Sequence, residues 1–268
     1  MVQYDFPEAD PSTRFVAMAN ALNNESYPVV YQLCQWGVGV DLGIWAPRIS
    51  NSWRISNDII NDWRSIWRIT NQVVPFYKHT GVGAYADMDM LMCVGLLPPF
   101  GYTLLTMPFR IGTGGLTLEE ERFHFGMWAI NKSPLIIGCS IIANRTPAAS
   151  LEIMKNKEVL AINQDSLGVQ ARLIRRFTEE QYDIWAGELS GDRKVIGIAN
   201  WDSSAKAITL DLATVGVSFA TAARDVWAAS DLGSLSGKVT FNLVGHQLKL
   251  LVLSGISKAP EPTVSSYY

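Results

Sequence analysis

Up to about residue 170, short apolar runs alternate with stretches of helical periodicity, and several of the runs end in polar residues. This alternation predicts βα units and a parallel sheet. The expected strands are Met1–Tyr4, Tyr27–Leu33, Ser52–Ile55, Gly83–Asp89 and Pro134–Gly138. The expected helices are Thr13–Leu22, Asp62–Phe76, a segment from Thr117 to about Ile130, Ser150–Lys155 and Lys157–Ile162. Trp63, Ile66, Trp67 and Val74 form the apolar stripe of the second helix, and Thr117 with Glu120 reads as a capping box for the third. From about Ala171 the helical patterns stop. Tyr182–Ala186, Lys194–Asn200, Ala207–Leu212, Ala222–Trp227, Lys238–Leu243 and Gln247–Leu253 read as strands between polar turns, which predicts an antiparallel β-sandwich. The expected division is an α/β domain over 1–170, a sandwich over 171–256 and a tail over 257–268.

Composition removes several function classes. A net charge of −3 leaves no basic footprint for nucleic acid. Met90–Phe109 carries no charge, yet Gly95, Pro98, Pro99, Gly101 and Pro108 break it, so it reads as an irregular loop and not a membrane span. Cys34, Cys93 and Cys139 form no disulfide framework and have no zinc-ligand spacing. His79, His124 and His246 have no neighbouring nucleophile pattern. Gly112-Thr113-Gly114-Gly115 lacks the lysine of a phosphate loop and reads as a turn. The first ten residues have neither a basic nor an apolar leader region, so no signal peptide is expected in this chain. Of the three Asn-x-Ser/Thr triplets, at Asn24, Asn131 and Asn144, only Asn24 lies in a polar stretch free of a following proline.

The chemistry is carried by residues at the ends of the predicted strands. Asp5, Asp58 and the pair Asp87/Asp89 each end or follow a different strand. Glycoside hydrolysis needs two carboxyl groups facing each other across the scissile bond, and Asp5 with Asp58 are the candidates. Arg54, four residues before Asp58, can tune a carboxyl or hold a hydroxyl. Gln35 and Trp36 offer a bidentate polar group beside an aromatic face, suited to a hydroxylated ring.

The runs Tyr31–Gly37, Asn51–Ile59 and Asp87–Leu91, followed by Leu116–Gly138 and Asn156–Asp165, resemble the α-galactosidases (melibiases) of glycoside hydrolase family 27, the fungal members above all. The resemblance implies a (β/α)8 barrel followed by an antiparallel β-domain, and release of terminal α-linked galactose with retention. It implies that Asp5 is the nucleophile and Asp58 the general acid/base. Gln3, Gln35, Trp36, Arg54, Asp89 and Met90 would touch the sugar. No cofactor is required, the substrate partner is an α-galactoside, and the expected location is extracellular. A retaining pair puts the Asp5 and Asp58 carboxyls about 5–6 Å apart. Gln3 and Pro7 depart from the family's lysine and cysteine at these positions. The pattern also enters the barrel only at the end of strand four, and residues 93–112 interrupt it as an insert, so impaired activity is expected of the chain as written. Rival readings are an α-N-acetylgalactosaminidase, with Val38 and Gly39 near the sugar's 2-position, and an inactive sugar-binding or structural remnant.

Overall fold

The computed structural model describes residues 2–3, 11–37, 41–92, 115–141 and 146–259. They fall into two compact units, one reaching Gln164 and including Gly168–Gln170, the other made of Asp165–Leu167 and the chain from Ala171.

Strands β1 (Val2–Gln3), β2 (Gln32–Cys34), β3 (Ser52–Arg54) and β4 (Tyr85–Asp87) of the first unit form one parallel sheet in chain order. Parallel neighbours need crossovers, and helices supply them: α1 (Pro11–Asn23), the short α2 (Leu42–Trp45) and α3 (Trp63–Val73). The strands' short apolar sequences suit burial on both faces, and Leu33, Trp53 and Ala86 are fully buried. Asp62 caps α3 by accepting the Arg64 amide at 2.8 Å. Ile66, Ile69, Thr70 and Val73 form its buried stripe. Trp67 was expected in that stripe and is instead half exposed, because the buried face runs through positions 66, 69, 70 and 73, to one side of it. After Val73 the helix tightens to a 3₁₀ turn, Val74–Lys78, with a proline in its first turn.

Helix α4 (Leu118–Ile130) opens with the expected capping box. Thr117 Oγ1 accepts the Glu120 amide at 3.3 Å, and Glu120 Oε2 accepts the Thr117 amide at 2.7 Å. Phe123 to Ile130 is buried on every side. Pro134–Gly138 is not a strand; its pairing is a single parallel bridge, Leu91 to Ile137, bounded by bonds from Leu91 N to Ile136 O and from Gly138 N to Leu91 O. Helices α5 (Ala148–Met154) and α6 (Lys157–Asn163) follow, the latter capped by Asn156. The expected insert at 93–112 lies outside the described residues.

The second unit has a six-stranded antiparallel sheet in the order β10 (Ser230–Ser236), β9 (Val217–Asp225), β12 (Leu248–Lys258), β7 (Arg193–Asn200), β6 (Tyr182–Leu189), β5 (Arg172–Phe177). A two-stranded sheet pairs β11 (Lys238–Leu243) with β8 (Lys206–Asp211). Ile208 and Leu210 of β8 share one apolar cluster with Ile196, Ile198, Leu251 and Leu253 of the larger sheet, which makes the unit a sandwich. Strand β12 continues to Lys258, two residues into the stretch expected to be tail. β5 and β10 were not expected; both are sheet edges, and their arginine-rich and Ser/Gly-rich sequences lack apolar alternation because neither has a fully buried face.

Two stability predictions follow from buried polar groups. The Asp183 carboxylate, fully enclosed, accepts Arg176 Nε at 2.9 Å, Arg176 Nη2 at 2.7 Å and Trp201 Nε1 at 2.8 Å. Asp183→Ala strands both donors and should cost about 2–3 kcal/mol in urea unfolding. His124, stacked edge-on against Trp128, is pushed by burial to a pKa of about 3. The unfolded chain takes up that proton near pH 6.5. The associated stability is therefore complete above about pH 6.5 and is lost as pH falls toward 3. His124→Gln should flatten the decline in urea midpoint between pH 7 and 4; an unchanged slope would assign acid sensitivity to other groups.

Candidate active site

The register of the parallel sheet lines up Gln3, Cys34, Arg54 and Asp87 as the last paired residue of each strand. The candidate residues follow this row, at the C-terminal edge where barrel enzymes carry their chemistry. Trp36 and Gly37 turn the chain away from β2 with φ of 69° and 72°. A Cβ on Gly37 would lie 2.4 Å from the Ile55 carbonyl oxygen, so the turn requires glycine on both conformation and space. Gln35 Oε1 is buried with no hydrogen-bond partner among the described residues. The Trp36 indole N–H makes no full hydrogen bond there either, and lies beside the Cys34 sulfur. An orphaned acceptor and an unfilled donor at one strand end are groups a polar ligand would complete.

Arg54 organises the centre of the site. Its side chain is only 4% exposed, and Nη2 reaches Asp89 Oδ2 at 2.7 Å, Asp58 Oδ1 at 3.0 Å and the Ser56 carbonyl at 3.2 Å. The Asp58 side chain is 71% exposed, so one of its oxygens is held from below while the group faces solvent. Asp89 is as buried as the arginine. Its Oδ2 also accepts the Ile59 amide at 2.7 Å, its Oδ1 accepts the Met90 amide at 2.7 Å, and its carbonyl accepts Trp128 Nε1 at 2.7 Å. These bonds hold Asp89 at a φ of 80°, a left-handed conformation that an aspartate adopts at some cost. Met90 is half exposed beside it.

Asp87 accepts the Asp89 amide at 2.8 Å and a short hydrogen bond from Gln32 Nε2. Burial raises its pKa, and these bonds together with Arg54 offset part of the rise. Burial likewise raises the Cys34 thiol, which keeps it protonated and a poor nucleophile at neutral pH.

The loop carrying Asp58 has a second clamp that sequence reasoning missed. Arg68, from α3, donates to the Asp58 carbonyl at 3.3 Å and to Gln72 Oε1 at 3.2 Å, and makes a short hydrogen bond to Asn57 Oδ1. Ser65 Oγ accepts the Ile60 amide at 3.2 Å. The legible trace was an arginine three residues after Ser65 and four before Gln72, on a helix that begins just beyond the acidic loop.

Of the expected site residues, the structure brings Arg54, Asp58, Asp89 and Met90 together and puts Gln35 and Trp36 at the end of the adjacent strand. Gln3 ends β1, whereas Asp5, Val38 and Gly39 lie outside the described residues. Among the described residues no three His, Cys, Asp or Glu side chains are grouped to hold a metal ion. A groove of about 610 Å³ lies elsewhere: Tyr31, Ser50, Asn51 and Gly83, among its lining, precede their strands, at the opposite end of the sheet.

Comparison with known proteins gives the same reading of both units. Residues 7–165 match the family model described as Alpha galactosidase A, and residues 179–253 match the Alpha galactosidase C-terminal beta sandwich domain. Probable alpha-galactosidase D of Neosartorya fischeri is 40% identical over 256 residues, 95% of this chain and 36% of that protein. Alpha-galactosidase D of Emericella nidulans is 39% identical over 248 residues, 92% of this chain and 35% of that one. The crystal structure of alpha-galactosidase I from Mortierella vinacea superimposes with a TM-score of 0.79 at 28% identity, covering 93% of this chain and 64% of that chain. The chain thus spans about a third of the length of the curated relatives it matches. Its parallel strands are the C-terminal part of a (β/α)8 barrel, its second unit is the family's sandwich, and the chain belongs to the α-galactosidases of glycoside hydrolase family 27.

Proposed function

We propose that residues 1–170 carry one side of the active site of a retaining glycosidase that releases terminal α-linked galactose, with the sandwich over 171–256 as its companion domain. The observation that carries this reading is the exposed Asp58 carboxylate held by a buried arginine at the C-terminal edge of a parallel sheet, within the stretch that matches the family. Asp58 protonates the leaving oxygen and then takes a proton from water. Asp5, two residues beyond β1, attacks the anomeric carbon and forms the glycosyl-enzyme. Gln3, Gln35, Trp36, Arg54 and Met90 contact the sugar. Asp89, a further sugar contact in this reading, also braces Arg54 and accepts two backbone amides. No cofactor is called on. An extracellular location belongs to this reading through the resemblance to the fungal α-galactosidases.

The assay is release of 4-nitrophenol from 4-nitrophenyl α-galactoside. The four parallel strands among the described residues do not close a barrel, and holding a substrate in place accounts for about 7–11 kcal/mol of barrier lowering. The 268-residue chain alone is therefore expected to turn over negligibly. Joined to the N-terminal barrel strands of the Mortierella enzyme it should be active, and Asp5→Asn should abolish that activity. In Asp58→Ala, azide should rescue turnover and yield α-galactosyl azide; in Asp5→Gly, rescue should yield the β-azide. Full activity in either unrescued variant would overturn the assignment.

Arg68 acts on the loop and not on substrate. In the same fusion, Arg68→Met should lower kcat by roughly tenfold, as loss of a positioning contact does, with KM little changed and Arg68→Lys partly restoring it. A loss confined to KM would assign Arg68 to substrate binding instead.

A further inference from the structure

We propose that Asn24 carries an N-linked glycan whose first sugar lies along Tyr27 at the mouth of the groove at the base of the sheet. The proposal rests on the extracellular reading above and goes beyond it to a modification site.

The triplet Asn24-Glu25-Ser26 satisfies the acceptor pattern, and it sits in the turn that follows α1, where all three residues are exposed. A second triplet in the chain provides a contrast. Asn131 has no exposed surface, its Nδ2 donates to the Met127 carbonyl at 2.9 Å, and its Oδ1 accepts Gln170 Nε2 at 3.2 Å. A sugar there would have to displace the end of α4, so the folded chain cannot carry one at that position.

The surroundings of Asn24 supply the second observation. Its neighbours Asn23 and Glu25 line the 610 Å³ groove, together with Tyr27, Tyr31, Arg48 and Asn51. Tyr27, three residues after the acceptor and part of the groove lining, is 65% exposed, an aromatic face left to water. A sugar ring has an apolar face that covers an aromatic ring and polar edges that bind charged and amide side chains. The groove offers both. It also lies at the end of the sheet opposite the Arg54 cluster, so a glycan there leaves the candidate active site open.

In the reaction, Asn24 Nδ2 attacks the anomeric carbon of an oligosaccharide carried on a lipid diphosphate. The new C–N bond replaces the C–O bond to diphosphate, the lipid diphosphate leaves, and Nδ2 loses one proton. The donor and its transferase belong to the secretory pathway of the host.

The test expresses the full chain behind a cleavable secretion leader in yeast and reads intact mass before and after treatment with an endoglycosidase. One glycan is expected, lost in Asn24→Gln and in Ser26→Ala and retained in Asn131→Gln. Secreted protein without a glycan, or with its only glycan elsewhere, overturns the site. Chain retained inside the cell but carrying a glycan lost in Asn24→Gln supports the site while counting against the extracellular reading. Hydrogen exchange over residues 25–31 and 46–51 should be slower with the glycan present; equal exchange in both forms would remove the sugar from the groove.

Discussion

The candidate site depends on one buried guanidinium. Arg54 ends a strand whose own side chains are buried, so its charge must be answered within reach. Asp89 answers it from beneath, and the same aspartate pins the Ile59 amide and thereby the loop that carries Asp58. Removing Asp89 would release a cation, a loop and a neighbouring strand end together. This is why an aspartate is kept in a left-handed conformation at this point: the cost of the backbone is offset by charge-assisted bonds to both carboxylate oxygens.

The row of strand ends explains how much of this was legible. Parallel pairing in register puts the last residue of each strand side by side, so a polar residue just beyond each apolar run announces a shared edge. Arg54, Asp58 and Asp89 were legible from spacing because each lies within four residues of such an end, whereas Met90 came only with the resemblance. The capping box at Thr117 was legible for a similar reason, since its chemistry is local. The resemblance added the roles, which spacing does not carry.

What stayed hidden depends on contacts between segments. Arg68 clamps a loop ten residues earlier, and nothing in the helix's own periodicity marks that direction. The Pro134–Gly138 run has a strand's composition but, among the described residues, finds partners only around Leu91, so it forms a bridge and no ladder there. The edge strands β5 and β10 show the converse, strand structure without strand composition. Their neighbours β6 and β9 supply the hydrogen bonds, and the outer edge needs no apolar alternation.

The ion pairs differ in which partner is buried. In the sandwich unit, Asp183 and Asp165 are enclosed and their arginines, Arg176 and Arg193, stand more than a third exposed. A long arginine can reach inward while keeping part of its head hydrated, which is the less costly way to bury one member of a pair. At Arg54 and Asp58 the order is reversed, with the cation enclosed and the carboxylate outside. Lys194 and Glu188 in the sandwich share that order, 12% and 59% exposed, so the order alone does not mark a reacting group. What sets Arg54 apart is that it is only 4% exposed and is shared between two carboxylates, one buried and one facing solvent, so a fixed cation positions an acid that can meet a substrate.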